Sequence, residues 1–191
     1  MIGAAIEARS LASRRKLQTG IRVVLLAALA ASALVATASA APNYPKLTGR
    51  VTDQAGLLSA SDKADIESEL AAIEQTSTDQ IAIVTVNSLD GYSIEDYGIG
   101  LARQWGIGQK GKDNGILLIV APNDHKVRIE VGRRLEPFMT DTMSALIIHN
   151  AILPKFRRGD YAGGIKDGVR DIKTVLLGDL EEVKRRAAGG R

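Results

Sequence analysis

Apolar residues between positions 51 and 178 recur with two alternating spacings, one typical of strands and one of helices. Residues 80–86 and 115–121 are uninterrupted apolar runs, which predict strands covered on both faces. After a polar hairpin turn at 121–126, residues 127–132 alternate between apolar and polar side chains. This alternation predicts an edge strand with one wetter face.

Four helices are predicted from capping residues followed by apolar residues at helical spacing. Ser59 begins the first helix and Ser93 the second. Thr140 begins the third, which we expect Pro154 to stop, and Asp160 begins the last. With a short strand before the first helix, the order is β-α-β-α-β-β-α-α. This order predicts an α/β fold, a three-layer α/β/α sandwich around a small mixed β-sheet.

The first 40 residues have the pattern of a secretory signal. Residues 23–40 are uncharged and rich in alanine, follow a basic stretch, and end in an Ala-Ser-Ala cleavage sequence at 38–40. We therefore predict a signal peptide and a periplasmic or secreted protein. The alternative is an uncleaved segment that anchors the domain to the membrane. The arginine pair at 14–15 resembles a twin-arginine signal only in part, so an ordinary Sec signal is favoured.

The predicted organisation has four parts. A signal peptide at 1–40 is followed by an extended linker at 41–50, an α/β domain at 51–178 and a charged flexible tail at 179–191. The linker contains two prolines and a glycine. The tail is charged and ends in glycine, which predicts a frayed helix followed by coil.

Charge and cysteine content narrow the classes of function. The formal net charge is +3, but residues 1–40 hold five basic residues and one acidic residue. Without them, 20 basic residues face 21 acidic ones, so nothing favours a nucleic-acid partner, which would need a clustered basic face. The absence of cysteine excludes disulfides, thiolate zinc sites and a cysteine nucleophile.

Several blocks along the chain together form a recognisable pattern: VTDQAGLLS (51–59), YSIEDYGIGLARQWGIG (92–108), KDNGILLIVAPNDHKVRIEVG (112–132), LEPFMTD (135–141) and ILPKFRRGDYAGGIKDG (152–168). In this order they resemble the TPM domain family, named for thylakoid-lumen phosphatase-like, photosystem II repair and acetylcholine-receptor-modulating proteins. The resemblance spans residues 46–177 and implies a domain on the far side of a membrane. It also implies a role in repair or assembly of membrane complexes, with calcium binding in some members and weak acid phosphatase activity in one branch.

One segment departs from the family pattern. After the edge strand the family usually has glycine-tyrosine-glycine-leucine-glutamate-glycine, whereas residues 132–137 read GRRLEP. The two arginines and the proline make this loop more basic and stiffer than the family pattern. The metal binding that the family resemblance implies is therefore not expected to extend to this loop unchanged.

The predicted strand directions bring acidic residues to one end of the sheet. Strands 80–86 and 115–121 are joined by a helix and should run parallel, and the next strand returns antiparallel. The residues before the second strand and those after the third then share an end, and the family resemblance suggests that Asp53 joins them. Carboxylate and amide oxygens suit Ca²⁺. The candidate metal ligands are Asp53, Asp113, Asn114, Glu136 and Asp141.

Structural alternatives exist for several of these residues. Asp141 could have the purely structural role of stabilising the first turn of a helix through the helix dipole. Asp113 and Asn114 could likewise serve solely to form a turn. Glu136 could pair with Arg133 or Arg134. The sequence predicts neither catalytic residues nor a site for an organic cofactor.

Two functions remain open. The first is an interaction or maintenance module for a membrane or envelope protein complex, with membrane contact only through an uncleaved N-terminal segment. The second is a weak metal-assisted acid phosphatase. A phosphatase should show a glycine-rich loop that opens a helix, but the glycine-rich residues 108–115 open a strand. We therefore favour the non-enzymatic module.

Overall fold

The computed structural model describes residues 42–189. The predicted signal peptide at 1–40, residue 41 of the linker and residues 190–191 of the tail lie outside the described part. Within residues 42–189, no helix is both long enough and apolar enough to cross a bilayer.

The described chain contains a small mixed sheet, as the sequence predicts. The strand order is β1-β2-β3-β4, with the first three parallel and the fourth antiparallel. Every residue of β3 is buried, as its apolar run predicts. The strands are β1 (Val51–Asp53), β2 (Gln80–Thr85), β3 (Gly115–Ala121) and β4 (Lys126–Val131).

The four predicted caps are confirmed. The side chains of Ser59, Ser93, Thr140 and Asp160 each accept a hydrogen bond from a backbone N–H in the first turn of the helix that follows. The helices are α1 (Ala60–Ser77), α2 (Ile94–Trp105), α3 (Asp141–Ile147), α4 (Leu153–Phe156), α5 (Tyr161–Leu176) and α6 (Leu180–Gly189), with a π-helical segment at Ile148–Ile152 between α3 and α4.

Helices cover both faces of the sheet, which confirms the three layers. Alternate strand residues such as Ile83 and Leu118 pack in one core with α1, α3 and α5. Their neighbours Val84 and Leu117 pack in a second core with α2. The connections through α1 and α2 step in the same direction across the sheet but pass over opposite faces. One of the two must therefore be left-handed, against the usual preference.

The extended segment before β1 packs on α2 and is part of the domain. The Tyr44 ring lies edge-on to Tyr97, with ring centroids 5.0 Å apart. The indole N–H of Trp105 donates to the carbonyl oxygen of Pro45 at 2.9 Å. Burial raises the pKa of Tyr97 to about 12. These contacts help to close the α2 face of the sheet.

Two expectations about the C-terminal half are corrected. Pro154 does not end the helical chain, because a π-helical segment carries the chain on and Pro154 then lies in the first turn of α4. Residues 180–189, expected to be a frayed helix in a flexible tail, form a helix whose Val183 and Ala187 are buried. Arg186 of this helix also pairs with the buried Asp171 of α5.

Candidate functional site

The loops at the amino end of β3 and the carboxyl end of β4 meet, as the strand directions predict. The backbone N–H of Gly132 donates to the carbonyl oxygen of Gly115 at 2.7 Å. The N–H of Arg134 donates to the carbonyl oxygen of Asp113 at 3.2 Å. Asp113 adopts the left-handed conformation with φ of 50°, which aspartate tolerates better than most residues. The position of Asp113 is thus set by backbone contacts.

Gly132 is required by this close approach. A Cβ atom at this position would overlap the carbonyl oxygen of Asp113. Any larger residue must therefore push the two loops apart. The glycine controls the spacing between Asp113 and the segment that carries Arg133 and Glu136.

A cleft of about 600 Å³ opens beside these loops, between α2 and the end of β4. Its charged lining mixes both signs, while Ile99, Ile107 and Val131 contribute apolar surface. Arg133 Nε lies 3.4 Å from Asp113 Oδ2, and both side chains are largely exposed. Such a pair holds little stabilising energy and leaves both groups free for a ligand. The charged residues of the cleft are Arg103, Asp113, Glu130, Arg133 and Glu136.

A neighbouring depression of about 440 Å³ extends the cleft along β4. Glu130, Val131 and Glu136 line both, so the two form one continuous surface, which we call the charged cleft. Asp141 lies in this second part, beside the helix cap Thr140. Asp113, Glu136 and Asp141 thus share one surface, as the sequence predicts.

Asn114 has an internal structural role. Its side chain is fully buried, with Oδ1 accepting from the N–H of Gln109 at 2.8 Å. Its Nδ2 donates to the carbonyl oxygen of Thr78 at 2.8 Å. Both ends of the amide are therefore engaged in holding the loop before β3 against the end of α1, away from the charged cleft.

The expectation that Asp53 joins the acidic group is wrong. Because β1 runs parallel to β2, Asp53 lies beside Thr85 at the carboxyl end of the strands, whereas Asp113 precedes β3 at the amino end. The Asp53 carboxylate accepts hydrogen bonds from the N–H groups of Leu57 at 3.1 Å and Leu58 at 2.9 Å. It also accepts one from the Thr85 hydroxyl. These contacts fix the loop between β1 and α1.

As the side chains stand, they do not form a calcium cage. Within residues 42–189, no three His, Cys, Asp or Glu side chains are grouped so that they could hold a metal ion. Calcium takes six to eight oxygen ligands, whereas the charged cleft also carries Arg103 and Arg133. The acidic residues of the cleft therefore match calcium in chemistry but not in arrangement.

Three charged residues of the cleft could not be predicted from the sequence. Arg128 and Glu130 were visible only as part of the alternation of β4, although the pairing of Glu130 with Leu117 places it on the α2 face. Arg103 lies near the end of α2, where a basic residue is ordinary. The signal that could have found them is the topology, since it brings the end of α2 against β4.

Comparisons with known proteins agree with this fold. A family model described as TPM domain matches residues 51–175. The solution NMR structure of the N-terminal domain of a protein from P. gingivalis is 40% identical. That match covers 70% of this chain and 85% of the other, with a TM-score of 0.65. No curated protein matches.

Two more distant structures share the fold alone. The N-terminal domain of the cg2496 protein from Corynebacterium glutamicum is 20% identical, covers 69% of this chain and 83% of its own, and has a TM-score of 0.54. The BA42 protein from the psychrophilic bacterium Bizionia argentinensis is 19% identical, covers 63% and 81%, and has a TM-score of 0.56. From the family match over residues 51–175 and the 40% identical domain, the chain belongs to the TPM domain family.

Proposed function

We propose that this protein is an exported, non-enzymatic interaction module that binds a protein component of a cell-envelope complex through the charged cleft. The observation that carries the proposal is the cleft itself. It is large, open, lined by charges of both signs, and flanked by exposed apolar side chains. Export rests on the secretory pattern of residues 1–40.

The composition of this surface favours a protein partner. Protein interfaces combine an apolar centre with arginine and aromatic residues and a polar rim. Ile99 lines the cleft with 36% exposure. Phe138, in the turn that follows Glu136, is 52% exposed. Phe138 belongs to the same loop as Arg133, and both aromatic residues and arginine are enriched at protein interfaces.

The mixed charge also indicates what the partner segment looks like. Arg103 and Arg133 can donate hydrogen bonds to carboxylates, while Glu136 can accept them from basic side chains. Glu130 is already paired with Arg128, whose Nε lies 2.6 Å from Glu130 Oε2. A partner segment with both signs of charge around an apolar anchor would satisfy Arg103, Arg133 and Glu136. A uniformly charged ligand would meet repulsion from one half of the lining.

Cation binding is a subordinate part of the proposal. Asp113, Glu136 and Asp141 supply carboxylates on this surface, and Arg133 would have to leave Asp113 before a cation could bind there. A calcium titration that raises the melting temperature in wild type but not in Asp113→Asn would support a site. An unchanged melting temperature in both would contradict it.

The test of the interaction role uses a matched pair of substitutions. Phe138 and Leu177 are apolar side chains of nearly equal exposure, 52% and 53%, but only Phe138 lies in the loop that lines the cleft. Tagged full-length wild type, Phe138→Ser and Leu177→Ser would be used as baits in envelope extract, with captured proteins quantified by mass spectrometry. We expect a protein that is retained by Leu177→Ser and reduced at least about tenfold by Phe138→Ser, which is the loss of one hot spot.

Two outcomes would contradict the proposal. Equal capture of the partner by both variants would show that the charged cleft does not take part in the interaction. Metal-dependent hydrolysis of a phosphate ester that is lost in Asp113→Asn would instead establish the acid phosphatase alternative.

A further inference from the structure

A second pocket, which we call the hairpin pocket, lies at the other end of the sheet, where β3 turns into β4. Its volume is about 190 Å³. Val120, Ala121 and Val127 contribute apolar surface from the two strands, and Leu153 contributes it from α4. The strand directions place this pocket away from Asp113 and the charged cleft.

Aromatic rings form one wall of this hairpin pocket. The rings of Phe156 and Tyr161 lie 4.9 Å apart at an angle of 52°. Phe156 is held close against the backbone of α5, because a Cβ atom on Gly164 would overlap its ring. The wall is therefore fixed by packing between α4 and α5, so the pocket is preformed.

The rim of the hairpin pocket carries cationic and donor groups without an acid. Lys126, Arg157 and His125 line it, and none of the three forms an ion pair within residues 42–189. The acidic residues nearest to these three in the sequence form hydrogen bonds with other parts of the chain. Asp124 accepts the N–H of Leu89 at 3.1 Å, and Asp160 caps α5 through the N–H of Gly163 at 2.8 Å.

The backbone at this rim is unusual. His125 adopts a left-handed conformation with φ of 52°. Histidine is among the non-glycine residues that tolerate this region, but such residues cluster at binding sites and switch regions. In this conformation the hairpin turn places His125 beside Lys126 at the pocket.

The size of the pocket limits its ligand. Its volume of about 190 Å³ lies below the ~300–1,000 Å³ of pockets that hold drug-sized ligands. This suits one branched aliphatic side chain rather than a drug-sized molecule. The apolar lining can contact that side chain, while Arg157 and Lys126 can donate hydrogen bonds to an anion at the mouth.

We propose that the hairpin pocket binds a carboxylate joined to a branched apolar group of this size. Two sources carry that chemistry: the apolar C-terminal residue of a peptide and a free short-chain acid. The site is distinct from the charged cleft and does not depend on the function proposed for it.

The test is an NMR titration of the ¹⁵N-labelled full-length protein with acetyl-leucine and with acetyl-leucinamide, which lacks the carboxylate. We expect shifts for the backbone amides of Ala121, His125 and Tyr161 with the acid, and at least about tenfold weaker binding of the amide. Arg157→Gln should weaken the acid by about fivefold to tenfold. Arg158→Gln, a neighbouring exposed arginine that does not line the pocket, is the matched control and should leave affinity unchanged.

Equal binding of acid and amide, equal effects of the two arginine substitutions, or shifts confined to other parts of the domain would overturn the proposal. A five-residue peptide ending in leucine and 4-methylpentanoate then distinguish the sources. Tighter binding of the peptide identifies a chain terminus, and equal binding identifies a free acid; both results support the shared chemistry.

Discussion

Replacing Asp53 by asparagine tests whether this residue stabilises the fold or binds a metal. The substitution keeps the size and one acceptor oxygen, but places an NH₂ group where Oδ2 now accepts the N–H of Leu58. Two donors then face each other. The other oxygen can still accept from Leu57 and Thr85, but without a negative charge.

The expected loss of stability follows from these three contacts. An unsatisfied donor in this half-buried loop costs about 1–3 kcal/mol. Loss of charge assistance in the two remaining hydrogen bonds costs about 1 kcal/mol more, because neutral hydrogen bonds are about half as strong. The free energy of unfolding should therefore fall by about 2–4 kcal/mol. For a domain of this size, the melting temperature should fall by roughly 5–15 °C.

The assay is thermal and urea unfolding of the full chain, followed by circular dichroism in the presence of EDTA. Asp113→Asn is the matched control, since it makes the same chemical change at the other end of the sheet and removes only one exposed ion pair. That control should change stability by less than about 0.5 kcal/mol. If Asp53→Asn were as stable as the control in EDTA but lost a calcium-induced rise in melting temperature, the structural role assigned to Asp53 would be refuted.

Three further predictions concern individual contacts of the domain. Asn114→Ala should lower the free energy of unfolding by about 2–4 kcal/mol in urea titrations, because two buried hydrogen bonds lose their partner. Gly132→Ala should lower it by about 1–3 kcal/mol and shift NMR resonances in the loop of Asp113, whereas Gly189→Ala, where a Cβ meets nothing, should not destabilise. The hydrogen bond from Lys166 lowers the pKa of Asp62. The ion pair therefore stabilises the fold fully above about pH 4, and this stabilisation is lost as the pH falls through the lowered pKa. Lys166→Gln should make the free energy of unfolding depend less steeply on pH in this acid range.

The ion pair of Lys166 with Asp62 and Asp65 should also affect stability at alkaline pH. The hydrogen bonds from its amino group to Asp62 and Asp65 raise the pKa of Lys166. Its contribution is therefore complete below about pH 10 and is lost as the pH rises through the raised value. Since the pair joins α1 to α5, both limbs of a pH–stability profile should change together in Lys166→Gln.

Local signals in the sequence determined most of the fold. Ser59, Ser93 and Asp160 are capping residues followed by apolar residues at helical spacing, so the helix starts could be located from neighbouring residues alone. The uninterrupted apolar run of β3 reflects cover on both faces, which the two cores provide. The parallel and antiparallel directions of β2, β3 and β4 followed from the lengths of their connections.

Long-range contacts explain what the sequence could not predict. A three-residue strand such as β1 carries no signal for its direction, so the end of the sheet reached by Asp53 remained open. The helix at 180–189 has few apolar residues and depends on burial of Val183 and Ala187 against the domain. Pro154 was expected to end a helix because the π-helical segment before it has no recognised sequence pattern.

The candidate site was also predicted only in part, where connection lengths rather than long-range packing determine which residues meet. Connection lengths predicted that Asp113, Glu136 and Asp141 share a surface. The orientation of Asn114 toward Thr78 and Gln109 could not be predicted, because it depends on how the loop before β3 packs against the end of α1. The position of Arg103 in the cleft could not be predicted either, because it depends on the approach of α2 to β4.

The most direct test of the central claim is site-specific photo-crosslinking in living cells. A photoreactive phenylalanine analogue would replace Phe138 beside the charged cleft and, in a separate strain, Leu177 away from it. The account predicts a discrete crosslinked product with one envelope protein from position 138, weakened by Glu136→Lys, and none of that product from position 177. The same product from both positions, or none from position 138, would contradict the claim that the charged cleft binds a partner.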